Sequence, residues 1–134
     1  MLGMPMYGWS QVEIGDFEGP ASYLTDVAND CLLAMIHYYE TGFDFVVNFD
    51  AEGWTFKVIA DEYNVFVIED KDESVLHTYD KNIDDLAKEI VSDIEKYFDD
   101  WTRWDYAIEE DDEEALQKEA ERLRDNLKKL KALM

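Results

Sequence analysis

The hydrophobic positions of this chain change period twice. Residues 1–19 are aromatic and polar without a sustained repeat and read as an extended N-terminal arm, with a short strand over Gln11–Ile14. From Gly19-Pro20 onward, Leu24, Val27, Ala28, Cys31, Leu32, Met35, Ile36 and Tyr39 recur at three-to-four spacing, the apolar stripe of an amphipathic helix. Proline suits a first helical turn, and Gly42 supplies a left-handed stop. The spacing therefore predicts a first helix from about Pro20 to Glu40.

The period then falls to two. Phe43, Phe45, Val47 and Phe49 alternate with Asp44, Val46, Asn48 and Asp50, as in a strand with one strongly apolar face. Trp54, Phe56, Val58 and Ala60 continue the alternation after the turn Ala51-Glu52-Gly53. Asp61–Asn64 turns again before the run Val65–Glu69, and Lys71-Asp72-Glu73 separates that run from a weaker strand, Val75–Tyr79. Loops this short join neighbours as hairpins, so the run predicts an antiparallel meander of three or four strands.

Beyond Asp80 the helical period returns. Asn82 is placed to cap a helix whose first turn holds Asp84 and Asp85, and Ile83, Leu86, Ile90, Ile94, Phe98 and Trp101 form its buried stripe. Six consecutive carboxylates, Glu109–Glu114, repel one another in a helix interior and are better placed where the next helix begins. That last helix carries Leu116, Ala120, Leu123, Leu127, Leu130 and Met134 at 4-3-4-3-4 spacing, a heptad seam. The seam either docks on its own domain or pairs with a second copy through residues 116–134. Glu114 with Lys118 and Asp125 with Lys129 support the helix as i,i+4 pairs.

The expectation is one α+β domain over residues 1–134: an arm (1–19), an acidic core (20–114) and a C-terminal amphipathic helix (115–134). In element order it has an N-terminal helix, a three- to four-stranded antiparallel meander and two C-terminal helices.

Charge changes this picture more than composition does. With 47 % hydrophobic and 14 % aromatic residues the chain can build a core, which excludes disorder. Yet 33 Asp and Glu against 12 Lys and Arg give a formal charge of −21. A field of that sign repels nucleic acid and anionic membrane and attracts basic proteins. Residues 115–134 depart from it, with 3 acidic and 6 basic side chains. The N-terminus lacks the pattern of a signal peptide, no apolar run could span a bilayer, and Cys31 is the only cysteine. The expected setting is the cytoplasm of a bacterial host.

Catalytic signals are weak. His37 and His77 lie in different elements with no HxH, HExxH or CxxC spacing, so no catalytic residue, metal ligand or cofactor is assigned and no enzymatic activity is expected. Glu69-Asp70-Lys71, with Asp50 as a companion ligand, matches the E-x-K of metal-dependent nucleases. A polyanion-cleaving enzyme is nevertheless a poor fit to this charge.

The carboxylates themselves are the stronger candidates. On a helix, side chains at i, i+3 and i+4 stand about 5–6 Å apart, which is close to the step between successive phosphates. The expected partner-binding residues are Asp99, Asp100, Trp104, Asp105, Tyr106, Glu109, Glu110, Asp111 and Asp112, with Asp70, Asp72 and Glu73 from the sheet. Asp44, Asp61, Glu62, Asp84 and Glu95 add to the same surface. Tyr97, Trp104 and Tyr106 either serve as half-exposed anchors among these acids or pack on the last helix.

In element order, in acidity and in the segment YFDDWTRWDYAIEEDDEE the chain resembles small nucleic-acid-mimicking inhibitors of phages, among them anti-CRISPR proteins. The resemblance implies steric and electrostatic blockade of a DNA-binding cleft, the carboxylates standing in for the phosphates of target DNA. The partner is then a basic nucleic-acid-binding protein, such as a CRISPR-associated (Cas) nuclease or a restriction enzyme, with no direct contact to nucleic acid or membrane. An immunity protein against a basic nuclease toxin and a heptad-linked assembly protein are the alternatives.

Overall fold

The computed structural model describes residues 1–104, 109 and 111–134. In chain order it has β1 (Trp9–Ile14), β2 (Phe17–Ser22), α1 (Val27–Thr41), β3 (Phe45–Asp50), β4 (Thr55–Ala60), β5 (Asn64–Asp70), β6 (Ser74–Asp80), α2 (Ile83–Lys96), α3 (Phe98–Arg103) and α4 (Glu113–Leu133). The class is α+β, but the expected order is overturned at both ends. The chain opens on a β-hairpin rather than a helix, and it closes on three helices rather than two.

The N-terminal correction rests on a two-residue turn. Ile14 pairs with Phe17 across Gly15-Asp16, and Gly15 takes φ +57°, which glycine adopts at little cost. Val12, Ile14, Phe17 and Ala21 then bury on one face of the ribbon. Pro20, read from sequence as a helix opener, sits in β2 opposite Gln11. Gln11 directs its carbonyl away from β2, to the Gly3 amide at 2.8 Å, so the pair is a non-hydrogen-bonded one and the missing proline N–H costs no bond. Leu24, placed by the sequence on the helical stripe, is 55 % exposed in the loop before α1.

This hairpin packs on the inner face of the larger sheet. Phe17 lies edge-on to Phe56 (5.3 Å between centroids) and 5.5 Å from the His77 ring. Asp16 accepts a hydrogen bond from the Tyr79 hydroxyl at 2.8 Å. Burial and that carboxylate push the Tyr79 phenol up to about 12.

The four strands β3-β4-β5-β6 pair antiparallel in chain order. Their alternation sends Phe45, Val47, Phe49, Phe56, Val58, Ala60, Val65 and Val67 inward, all fully or nearly fully buried. α1 lies between β3 and α4 and also touches α2, so it is the centre of the core. It ends as the sequence indicates, at a left-handed Gly42 whose N–H reaches the Tyr38 carbonyl.

The expected long helix divides at Tyr97, whose backbone leaves the helical region (φ −115°, ψ 33°). α2 keeps the predicted cap: the Asn82 side chain accepts from the Asp84 amide at 2.6 Å. The break sets α3 against α4 and buries Trp101 and Trp104 edge-to-face at 5.1 Å. α4 begins where the carboxylate run meets the positive end of the helix dipole, with Asp112 accepting from the Ala115 amide at 3.1 Å. Its leucines Leu116, Leu123, Leu127 and Leu130 are buried.

Of the two readings of the seam, docking on its own domain is the one the structure shows, since α4 packs on α1 and α3. Arg122 donates to Asp26 at 2.6 Å and the Asn126 amide to Asn29 at 2.8 Å, which fixes its register on α1. Glu114 and Lys118 form the expected pair, whereas Lys129 turns to Glu40. Among the described residues no helix is long and apolar enough to cross a membrane.

Candidate protein-binding surface

The acidic corner between α3 and α4 is only partly the exposed anchor site that the sequence suggests. Asp99, Asp100, Glu109, Asp111 and Asp112 are exposed, and Asp112 doubles as the α4 cap. Trp104, expected to be half exposed, is 7 % exposed and serves the core. Tyr97 is half-buried beneath the Lys96 ammonium. Asp105, Tyr106 and Glu110 lie outside the described residues. Asp70, Asp72 and Glu73 are exposed on a different element, the β5–β6 turn.

What the sequence pattern did not reveal is the outer face of the sheet. The register aligns Val46, Ile59, Phe66 and Thr78 in one cross-strand row, and Asn48, Lys57, Ile68 and Leu76 in the next. Val46 is 44 % and Leu76 63 % exposed, and Ile59, Phe66 and Ile68 are half-buried by their neighbours. An antiparallel sheet with one face in water normally alternates apolar-in, polar-out. Here the outer face carries an apolar strip as well, and among the described residues Val46 and Leu76 leave it open to solvent.

Carboxylates bound this strip at both strand ends. A third row aligns Asp50, Thr55, Asp70 and Ser74, and the adjoining turns add Glu52, Asp72 and Glu73. Asp44, Asp61, Glu62 and Asp80 stand at the opposite end. Asp61 accepts from the Tyr63 and Asn64 amides, which fixes the β4–β5 turn. Among the described residues, none of Asp44, Asp61, Glu62, Asp70, Asp72, Glu73, Asp99 and Asp100 has an ion-pair partner.

One group of acids converges in a way that sequence spacing could not show. Burial raises the Tyr38 phenol, and the surrounding Glu62, Asp84, Asp44 and Asp61 raise it further. Carboxylates from three separate segments therefore act together on one phenol through their field. Tyr39 donates to Asp84 at 2.6 Å, and burial together with that bond raises its phenol strongly. Beside this cluster Phe43 is 70 % exposed and Tyr63 72 % exposed, Phe43 stacking on His37. Exposed aromatics rimmed by charge are the usual anchors of protein interfaces.

The E-x-K arrangement does not assemble. Glu69 shares the inner face with Phe56, whereas Asp50 belongs to the outer row with Thr55 and Asp70, so the proposed ligands point to opposite sides of the sheet. Glu69 instead accepts from His77 at 2.6 Å and pairs with Lys71 at 3.3 Å. The His77 hydrogen bond, with Lys71 assisting, holds its carboxyl below the usual range despite partial burial. Among the described residues no group of three or more His, Cys, Asp or Glu side chains is placed to hold a metal ion. Cys31 is fully buried on the core face of α1, and that burial raises its thiol far above the reactive range.

No protein-family model matches the chain, and neither a curated protein nor a solved structure does. The element order that supported the likeness to phage inhibitors has been overturned as well. The functional reading rests on this surface alone.

Proposed function

We propose that this protein is an acidic inhibitor that docks on the basic nucleic-acid-binding cleft of a DNA- or RNA-processing enzyme, in the manner of anti-CRISPR or anti-restriction proteins. The observation that carries it is the outer sheet face: an apolar strip bounded at both ends by carboxylates, most of them exposed, that have no ion-pair partner among the described residues. Neighbouring strands stand about 4.8 Å apart and alternate residues along a strand about 6.7 Å. Rows of carboxylates at those steps present charge much as a nucleic-acid backbone does. The apolar strip supplies desolvated contact area, which phosphate mimicry alone lacks.

Mechanistically, the carboxylates accept hydrogen bonds from Lys and Arg of the cleft and displace its counterions, and Val46, Phe66 and Leu76 exclude water between them. The cleft is then closed to nucleic acid by occupancy. Association is steered by the net charge of −21 and weakened by salt.

Two variants test the reading. One replaces Asp50, Asp70, Asp72 and Glu73 by Asn and Gln, and Val46 and Leu76 by Thr; the other replaces Asp99, Asp100, Glu109 and Asp111 by Asn and Gln. The immobilised wild type should retain a basic nucleic-acid-binding protein from a bacterial lysate at low salt. Duplex DNA should compete with it, and the sheet variant should release it while staying folded by circular dichroism. Capture that survives both DNA competition and the sheet variant overturns the proposal. Loss only in the second variant moves the site to the α3–α4 corner. A captured nuclease toxin would identify the protein as an immunity factor using the same chemistry.

A further inference from the structure

The basic side chains of this acidic chain are not spread evenly. Lys88 and Lys96 of α2 and Arg124, Lys128 and Lys131 of α4 line two adjoining hollows of about 430 and 660 Å³ that share Glu95 and Lys131. Five of the chain's 12 cations thus border one groove whose lining carries a single acidic side chain, Glu95. Glu95 is already engaged by Lys131 at 3.2 Å. Among the described residues, Lys88, Lys96, Arg124 and Lys128 have no carboxylate within 4.0 Å, in a chain with 33 of them.

The groove is also apolar. Val91, Phe98, Leu127 and Met134 line its walls, Met134 being 45 % exposed. Arg124 lies over the Phe98 ring at 5.4 Å and leaves the outer edge of the hollow positive.

We infer that this groove is a second docking site, of opposite sign to the sheet face, and that its occupant is an acidic amphipathic helix of another protein. A groove between two helices, apolar within and charged on its banks, suits a helix that presents i, i+3, i+4 and i+7 anchors. The banks select carboxylates on the flanks of that helix. The chain's overall negative charge does not forbid the approach, because at physiological ionic strength screening acts over about 8 Å and the local cations dominate at contact. Nucleic acid would use the charge but leave the apolar walls unmatched. A second copy also carries acids on α2 and α4, but the apolar faces of those helices are buried in its own core and supply no anchors.

The test is an NMR titration of the isotopically labelled chain. The probe is a synthetic helical peptide with Leu and Phe at i, i+3, i+4 and i+7 and Glu elsewhere. A scrambled peptide of the same composition and a single-stranded oligonucleotide serve as comparisons. Expected are shifts confined to the α2–α4 groove, and at least about tenfold weaker binding by the scrambled peptide and by the variant Lys88→Glu/Lys128→Glu. Both substituted positions are exposed, and circular dichroism checks their folding. The inference is overturned if the scrambled peptide binds equally, if charge reversal leaves affinity unchanged, or if the oligonucleotide shifts the groove more strongly. Self-association of the free chain that the reversal abolishes would equally overturn it.

Discussion

The hairpin β1–β2 is the part of the fold that most needs an energetic test, and Phe17 with Gly19 provides one. Phe17 is 5 % exposed, against Phe56 and His77. Truncation to Ala removes a buried aromatic, which costs about 3–5 kcal/mol where the cavity cannot collapse. His77 keeps 31 % of its side chain exposed, so water reaches the margin of this cavity and the loss should fall near 3 kcal/mol. Gly19 makes the reciprocal case. A Cβ there would stand 2.7 Å from the Phe17 ring tip and 2.9 Å from that of Phe56, so Gly19→Ala overpacks and costs about 1–3 kcal/mol. In the double variant the Phe17 clash is gone and only the Phe56 contact remains. The combined loss should therefore fall short of the sum by about 1 kcal/mol. Urea unfolding followed by tryptophan fluorescence measures all three, each loss being well within the 5–15 kcal/mol typical of a domain. Strict additivity, or a Phe17→Ala loss under about 1 kcal/mol, would refute the packing of this hairpin as part of the cooperative core.

Two further predictions concern local electrostatics and capping. The Glu69 carboxyl is depressed in the folded state, so its contribution is present above its ordinary value of 4.5 and is lost as pH falls through the lower folded value. The stability difference between wild type and Glu69→Gln should be largest near neutrality and vanish in acid; urea midpoints across that range check it, and a constant difference would contradict the assignment. Asn82→Ala removes the acceptor of the Asp84 amide and should cost about 1 kcal/mol, with faster hydrogen exchange confined to the first turn of α2.

The elements whose signals are local were legible from residues alone. Alternating Phe45, Val47 and Phe49 mark β3, Gly42 ends α1, and Asn82 and the carboxylate run up to Glu114 mark where α2 and α4 begin, because period, left-handed glycine and caps act within a few residues. The hairpin was missed although its signal was present: Gly15-Asp16 separates Val12 and Ile14 from Phe17. Pro20 and the stripe beginning at Leu24 favoured a helix there, and only pairing with Gln11 and packing on Phe56 decide for a strand. The break at Tyr97 was hidden for a related reason, since the 3.6-residue stripe runs through it.

Of the functional surface, the sequence determined the sign and the excess of charge, and the reversal of that sign after residue 114. It could not decide which acids act together, because Asp44, Asp61, Glu62 and Asp84 share their field on Tyr38 only once distant segments are packed. Nor could it show that Val46, Ile59, Phe66, Ile68 and Leu76 form one strip, or that Lys88 and Lys128 face a common groove. Periodicity assigns a side chain to a face of its own element. Whether that face is covered, and by what, is settled by the packing of the others.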